Sequence, residues 1–244
     1  MNRILLYNNL FFIKHKYLKY LSIILLAPML MYSLNILLFS HYYNQDFVWP
    51  SIGIWISCPI LCSYVYAYDF VSSNILNQRR KVNFIINSYV PTSAILGHII
   101  AVSIFISILS LFCSYLIIYG LVGSSALISG INFFYLTLSM LSVVLFFIPL
   151  AIFFALYDMD NIGLSITMLI CALIVRFSYF ANTEIEHFYN PVFDLVRNCS
   201  SFILNSSNYA FSYKPILIMT SYSSISLILI IFLLNRFINK QYER

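Results

Sequence analysis

The sequence predicts an all-α integral membrane protein, a single transmembrane domain over residues 1–244 with six transmembrane helices. Of its 244 residues, 61% are hydrophobic and only 9% are charged, whereas an ordinary soluble domain has roughly 25% charged residues. Mean hydropathy is +0.89. Polar segments separate six apolar stretches, each close to the roughly 20 residues that a helix needs to cross a bilayer. A chain of this composition belongs in a membrane.

Residues 1–19 mix aliphatic and aromatic side chains with four basic ones. This mixture predicts an amphipathic helix that lies in the headgroup region; the alternative is a frayed basic tail. The first span follows at about residues 20–40. It is too long for the apolar core of a signal peptide and has no small-residue cleavage site, so we expect it to remain as a spanning helix.

Spans two to five are expected at about residues 51–70, 93–119, 132–157 and 162–180. Together with the first span they cover residues 20–180. Asp69 ends the second span, where it reaches interfacial water, and His98 near the start of the third is expected to pack and hydrogen-bond. Arg176 is expected to extend along its alkyl stem to the outer interface or to pair with Glu184 or Glu186.

The longest polar segment, residues 181–213, still contains many apolar side chains. Backbone that enters lipid must satisfy its own hydrogen bonds. We therefore expect short re-entrant helices that dip into the outer leaflet, not a free loop. Residues 214–244 complete the chain with the sixth span, at about 215–234, and a basic tail.

The distribution of basic residues sets the expected orientation. The first nineteen residues hold four of the 13 Lys and Arg residues, the loop after span two holds three, and the tail holds three. With six spans these ten lie on one side, and the positive-inside rule makes that side the cytosol. Both termini are thus expected to be cytosolic.

No arrangement typical of a catalytic or metal centre is evident. Cys58 and Cys62 lie one helical turn apart without a His or carboxylate at ligand spacing, which favours packing. Asp158 and Asp160 are more typical of a helix-capping turn than of a cation site. The chain has no G-x-x-x-x-G-K-[ST] phosphate loop. We expect no enzyme activity, no metal and no cofactor on this chain.

The polar stretch between spans two and three is basic, partly apolar and ended by Pro91. These properties predict a short helix that lies across the cytosolic membrane surface. On local sequence alone it is either a docking element for a partner protein or a loop that only fixes the topology.

Layout and local motif together resemble those of type-2 ABC exporter permeases. The layout is a basic N-terminal helix, six spans and a polar outer segment before the last span. The motif residues are Gln78, Arg79, Arg80, Tyr89, Val90, Pro91, Thr92, Ser93 and Gly97. Where that family commonly has a Glu beside the basic residue and a Gly-Thr after it, this chain has Asn77-Gln78 and Val82-Asn83.

The resemblance implies a bacterial cytoplasmic-membrane permease that works with a separate ATPase subunit, which would carry the ATP and Mg²⁺, and with a second permease copy, most simply as a homodimer. The 72–90 segment would be the coupling helix. Its ATPase-docking residues would be Asn77, Gln78, Arg79, Arg80, Phe84, Tyr89 and Pro91. The cargo would be amphipathic: a peptide antibiotic, a drug or a lipid-like molecule. A secondary transporter or channel subunit and a membrane-embedded enzyme are the alternatives, and nucleic acid is not expected as a partner.

Overall fold

Long apolar runs become helices in this chain because a backbone that crosses lipid must pair its polar groups within the segment. The computed structural model describes residues 3–39, 48–73, 92–123, 128–178, 190–204 and 210–242. Within these ranges the regular structure is helical throughout, without strands. The helices are α1 (Arg3–Phe39), α2 (Val48–Val71), α3 (Thr92–Val122), α4 (Gly130–Leu156), α5 (Asp160–Phe177), α6 (Pro191–Leu204) and α7 (Lys214–Tyr242).

Five of these helices are long and apolar enough to cross a membrane, as expected of a multi-pass membrane protein. The qualifying stretches are Lys16–Leu37, Pro50–Val71, Thr92–Val122, Gly130–Leu156 and Lys214–Phe237. The fifth predicted span coincides with α5, which is not among the five. Its 18 residues extend for about 27 Å, slightly less than the roughly 30 Å of a hydrocarbon core.

Helix α2 forms the centre of the bundle, with α1, α3, α4 and α5 packed around it. Small side chains permit this close packing. A Cβ at Gly53 would lie only 2.5 Å from the Cα of Val175 on α5. One turn further on, the Ser57 hydroxyl donates to the carbonyl of Cys171 at 3.1 Å. The α2–α5 contact is therefore nearly backbone to backbone.

On the other side of α2, helix α3 presents a face of buried serines. Ser103, Ser107, Ser110 and Ser114 are all fully buried. Ser107 donates within α3 to the carbonyl of Ser103 at 2.8 Å, and the Cys62 thiol donates to the Ser110 hydroxyl at 3.3 Å. Cys62 therefore packs against α3, as expected for a packing residue.

Helix α1 differs from the prediction. A helix lying along the membrane followed by a separate span requires a break near residues 19–20, but α1 is one continuous helix of 37 residues. Neither Gly nor Pro occurs between Arg3 and Tyr20 to end the helix. The first break-prone residue, Pro28, lies well inside the helix. The expected boundary is therefore wrong.

The turn between α4 and α5 was expected to be a helix-capping turn built on aspartates. The turn is present, and Asp158 adopts a left-handed conformation with φ of 54°. The capping prediction is wrong, because the residue at the N-cap of α5 is Met159, which makes no side-chain cap bond. Asp160 follows in the first turn of α5, where its negative charge interacts favourably with the positive end of the helix dipole.

Helix α6 is the described part of the segment predicted to be re-entrant. It packs against α4 and α7. Its first residue, Pro191, borders a cavity with Phe147 of α4, whereas Phe202 near its end packs edge to face against Tyr135 with ring centroids 4.9 Å apart. Tyr135 and Phe147 are separated by about 18 Å along α4. Helix α6 therefore begins beside the middle of α4 and ends near its N-terminus.

Candidate functional site

The residues predicted to dock an ATPase all fall in 74–91, outside the described residues. They are Asn77, Gln78, Arg79, Arg80, Phe84, Tyr89 and Pro91. The structure instead describes the chain on either side of that stretch. Before it, Ser73 accepts a hydrogen bond from Lys16 of α1 at 3.3 Å. After it, the hydroxyl of Thr92 donates to the side chain of Asn235 on α7. Each end of the stretch is thus bonded to another helix.

An ionic cluster joins α1 to the last turn of α2. The Asp69 carboxylate pairs with Lys16 at 3.3 Å and with Lys19 at 2.9 Å, and it accepts a hydrogen bond from the Tyr20 hydroxyl at 3.3 Å. Its side chain is only 11% exposed. A carboxylate removed from water is destabilising by several kcal/mol unless it is paired. Asp69 therefore fastens α1 to α2 instead of meeting interfacial water as expected.

A groove of about 750 Å³ lies between α1, α2 and α5. Helix α1 forms one wall and α5 the other, and both pack on α2, which forms part of the floor. The apolar lining includes Leu26, Leu30 and Leu34 from α1, Val65 from α2, and Leu164 and Met168 from α5. The α1 residues recur every four positions and so share one face of the helix.

Charged and polar groups occur at both ends of this groove. Lys19, Asp69 and Asp160 line one end, and Asn35 and Arg176 line the other. Lys19 to Asn35 along α1, like Asp160 to Arg176 along α5, is sixteen residues, or about 24 Å of helix. The groove therefore covers most of the thickness of a hydrocarbon core, with apolar walls between polar ends. We refer to these as the Lys19 end and the Arg176 end.

Arg176 was expected at the outer interface or in a pair with Glu184 or Glu186. Both glutamates lie outside the described residues. The structure adds that Arg176 lines the groove and is engaged in interactions within the protein. Neither the groove nor the Asp69 cluster follows from the sequence pattern, since both join residues far apart in the chain.

Aromatic side chains gather where α4 begins, α6 ends and α7 begins. Phe202 and Phe211 pack against the ring of Tyr135, and the hydroxyls of Tyr135 and Tyr213 are 3.0 Å apart. That hydrogen bond raises the pKa of Tyr213. Nearby, Asn198 of α6 donates to the carbonyl of Ser212 at 2.9 Å, which fixes the entry to α7. This cluster is typical of an aromatic belt.

Of the remaining candidates, His98 is buried with its ring 5.9 Å from that of Phe70, as expected of a packing residue. Cys58 contacts the sulfur of Met31 at 3.9 Å and so faces a different helix from Cys62. Within the described ranges, no three His, Cys, Asp or Glu side chains are grouped so that they could hold a metal ion.

Comparisons of the chain with protein-family models, curated proteins and solved structures give no match.

Proposed function

We propose that this chain is the permease subunit of an ATP-driven ABC exporter. In this proposal α5 is the fifth of six spans, α6 is a re-entrant helix, and the 74–91 stretch is a cytosolic coupling element for a separate ATPase subunit. A second copy of the permease completes the pathway. The cargo is amphipathic and leaves the cell along the groove.

The observation that carries the proposal is the connection between the groove and the coupling stretch. Helix α2 leads directly into residues 74–91, and its last turn holds α1 through Asp69 and Ser73. Helix α1 is in turn a wall of the groove. A displacement of the coupling stretch would therefore be transmitted to α1, which is how a subunit without its own ATPase would open and close a pathway.

The contact at Thr92 gives the stretch a second attachment. Its bond to Asn235 joins the start of α3 to α7. Both ends of the coupling stretch would thus move helices that are only partly enclosed by the rest of the protein. Most of α2, in whose most apolar part 94% of residues are buried, would stay fixed between them while its last turn moves with the stretch.

The test combines a docking variant with a matched control. Arg79, Arg80 and Phe84 are replaced by Ala together, and the control replaces Arg236, Phe237 and Lys240, which likewise are two basic residues and one phenylalanine but lie near the C-terminus. We expect the docking variant to bind the ATP-hydrolysing subunit at least about 30-fold more weakly, corresponding to the roughly 2 kcal/mol of an interface hot spot. The control should bind normally.

The measurement is co-purification of ATP hydrolysis with the permease in nanodiscs. Equal binding by both variants, or purification of the wild-type chain without any ATP-hydrolysing subunit, would contradict the proposal.

A secondary transporter is the second candidate, because Asp69 is a nearly buried carboxylate paired with two lysines, the kind of ionisable group that such transporters use. That function predicts gradient-driven transport by the purified chain alone in proteoliposomes. The exporter proposal predicts none without the ATPase and ATP.

A further inference from the structure

We infer that the groove between α1, α2 and α5 binds the hydrocarbon chain of a phosphate-bearing lipid, with the chain along the apolar walls and the phosphate at the Arg176 end. As a statement about cargo this rests on the proposed function, since it narrows the amphipathic cargo to a lipid-like molecule. As a statement about binding it concerns the groove alone.

The size of the groove suits a small molecule. Its volume of about 750 Å³ lies within the range of roughly 300–1,000 Å³ that is typical of small-molecule sites.

The chemistry of the walls argues against an extended peptide. Between Ile23 and Leu34 on α1, and between Leu164 and Val175 on α5, the side chains that line the groove are apolar. An extended peptide would place about seven residues along 24 Å. Each unpaired backbone group in such surroundings is destabilising by roughly 2–7 kcal/mol. A hydrocarbon chain has no such groups to satisfy.

The charges at the two ends orient the molecule. At the Lys19 end the lysines already share Asp69, and a second carboxylate, Asp160, lines the groove. An anionic headgroup there would meet two acidic side chains. Among the described residues, the lining of the Arg176 end includes a guanidinium and the Asn35 amide and no carboxylate. A guanidinium has five N–H donors, so Arg176 can bind a phosphate while keeping its contacts within the protein.

Two alanines on the facing walls provide the means to close the groove. Ala27 of α1 and Ala172 of α5 both line it. A tryptophan at either position fills the space that a lipid chain would occupy. Ala101, exposed on the outward face of α3, offers the same substitution on an apolar surface outside the groove.

The experiment reconstitutes the full chain in phosphatidylcholine nanodiscs with a small fraction of phosphatidic acid that carries a photoreactive diazirine in its acyl chain. After illumination, peptide mass spectrometry should find at least about tenfold more label on Leu30 and Met168 than on Phe105 and Phe112 of α3; tenfold corresponds to 1.4 kcal/mol. Equal labelling of the groove and the α3 face would overturn the inference.

Variants then test the two parts of the inference separately. Ala27→Trp and Ala172→Trp should each abolish groove labelling, and Ala101→Trp should leave it unchanged; each variant must elute as a single species with an unchanged melting temperature. Arg176→Gln should remove the preference for phosphatidic acid over photoreactive phosphatidylcholine, whereas Lys214→Gln should retain it. Labelling that persists in both groove-filling variants, or a preference that survives Arg176→Gln, would overturn the inference.

A photoreactive amphipathic peptide supplies the competing occupant. Labelling of Leu30 and Met168 by the peptide in preference to the lipid would also overturn the inference.

None of these measurements requires an ATPase. If groove labelling fails while the Arg79, Arg80 and Phe84 variant still uncouples the ATPase, the lipid inference is wrong and the proposed function stands. If labelling succeeds and no ATPase is found, the lipid inference stands and the proposed function is wrong.

Discussion

Helices α1 and α2 are neighbours and both are apolar enough to cross a membrane, yet they are packed in opposite ways. In the most apolar part of α2, 94% of residues are buried inside the protein, compared with 22% in α1. Helix α2 is nevertheless the least apolar of the five candidate spans. Close approach, made possible by Gly53 and Ser57, decides which helix is enclosed, because lipid is as good a solvent for leucine as a protein core.

Helices α1 and α2 also differ in how they are attached to the rest of the bundle. Helix α2 is held along its length by backbone proximity and serine hydrogen bonds. In the part of the chain that the structure describes, the ion pairs and the N–H and O–H hydrogen bonds from α1 to α2 and Ser73 lie at one end, around Asp69. Further along the helices, the Cys58 thiol makes a weaker contact with the sulfur of Met31 at 3.9 Å. A helix fastened at one end and packed by one face is able to move as a unit, whereas a helix enclosed on all sides is not. We therefore expect perturbations of α2 to affect folding and perturbations of α1 to affect motion.

The largest expected effect comes from Gly53→Ala. The added Cβ would lie 2.5 Å from the Cα of Val175, and backbone cannot move aside as a side chain can. We expect a loss of about 3 kcal/mol, the upper part of the range for overpacked cores, seen as a lower melting temperature in detergent. Gly97→Ala on α3 is the control, since a Cβ there meets nothing within 4 Å; it should be neutral or stabilising. Equal stability of both variants would contradict the idea that close approach of the backbone at Gly53 encloses α2.

An intermediate effect is expected from Asp69→Asn, which leaves Lys16 and Lys19 without their shared carboxylate. Because both lysines are partly exposed, we expect about 2 kcal/mol, less than for a fully buried pair. Hydrogen exchange should become faster in α1 while α2 stays protected. Adding Lys16→Met and Lys19→Met should restore part of the protection by removing the unpaired charges. Equally faster exchange in α2 would contradict a separate attachment of α1.

The smallest effect is expected from Leu30→Ala. This side chain is 59% exposed on α1, so its removal should change stability by less than about 0.5 kcal/mol. The same truncation at Ile60 of α2, which is 0% exposed, should be destabilising by about 2–5 kcal/mol. Thermal unfolding of both variants measures the difference. A large effect at Leu30 would mean that the groove wall formed by α1 is covered by a bound molecule.

The helices themselves were largely predictable because hydrophobic runs of this length have few alternatives. The predicted third span at 93–119 and the observed Thr92–Val122 nearly coincide. The end of α7 was less predictable: the helix continues to Tyr242, well beyond residue 234, because a basic segment leaving the membrane retains its helical hydrogen bonds. Basic residues indicate where the chain leaves the lipid, but they do not indicate where the helix ends.

The groove and the ionic cluster could not be predicted for a different reason. Leu26, Leu30 and Leu34 form the same pattern whether they face lipid or a groove wall. Asp69 at the end of a span is ordinarily a residue that reaches water, and only the fold brings Lys19, fifty residues earlier, to within 2.9 Å of it. A run of lysines at helical spacing before the first span was the one available signal, and it is shared by every positively charged membrane tail.

The enclosure of α2 also bears on how the chain enters the bilayer during synthesis. Segments partition from the insertion machinery into lipid according to their hydrophobicity, and α2, with its serines and an internal proline, gains least from lipid on its own. It emerges directly after α1, which carries the lysines that pair with Asp69. The two helices are therefore suited to enter the membrane together as a hairpin, with the later helices closing around α2 once they have been made.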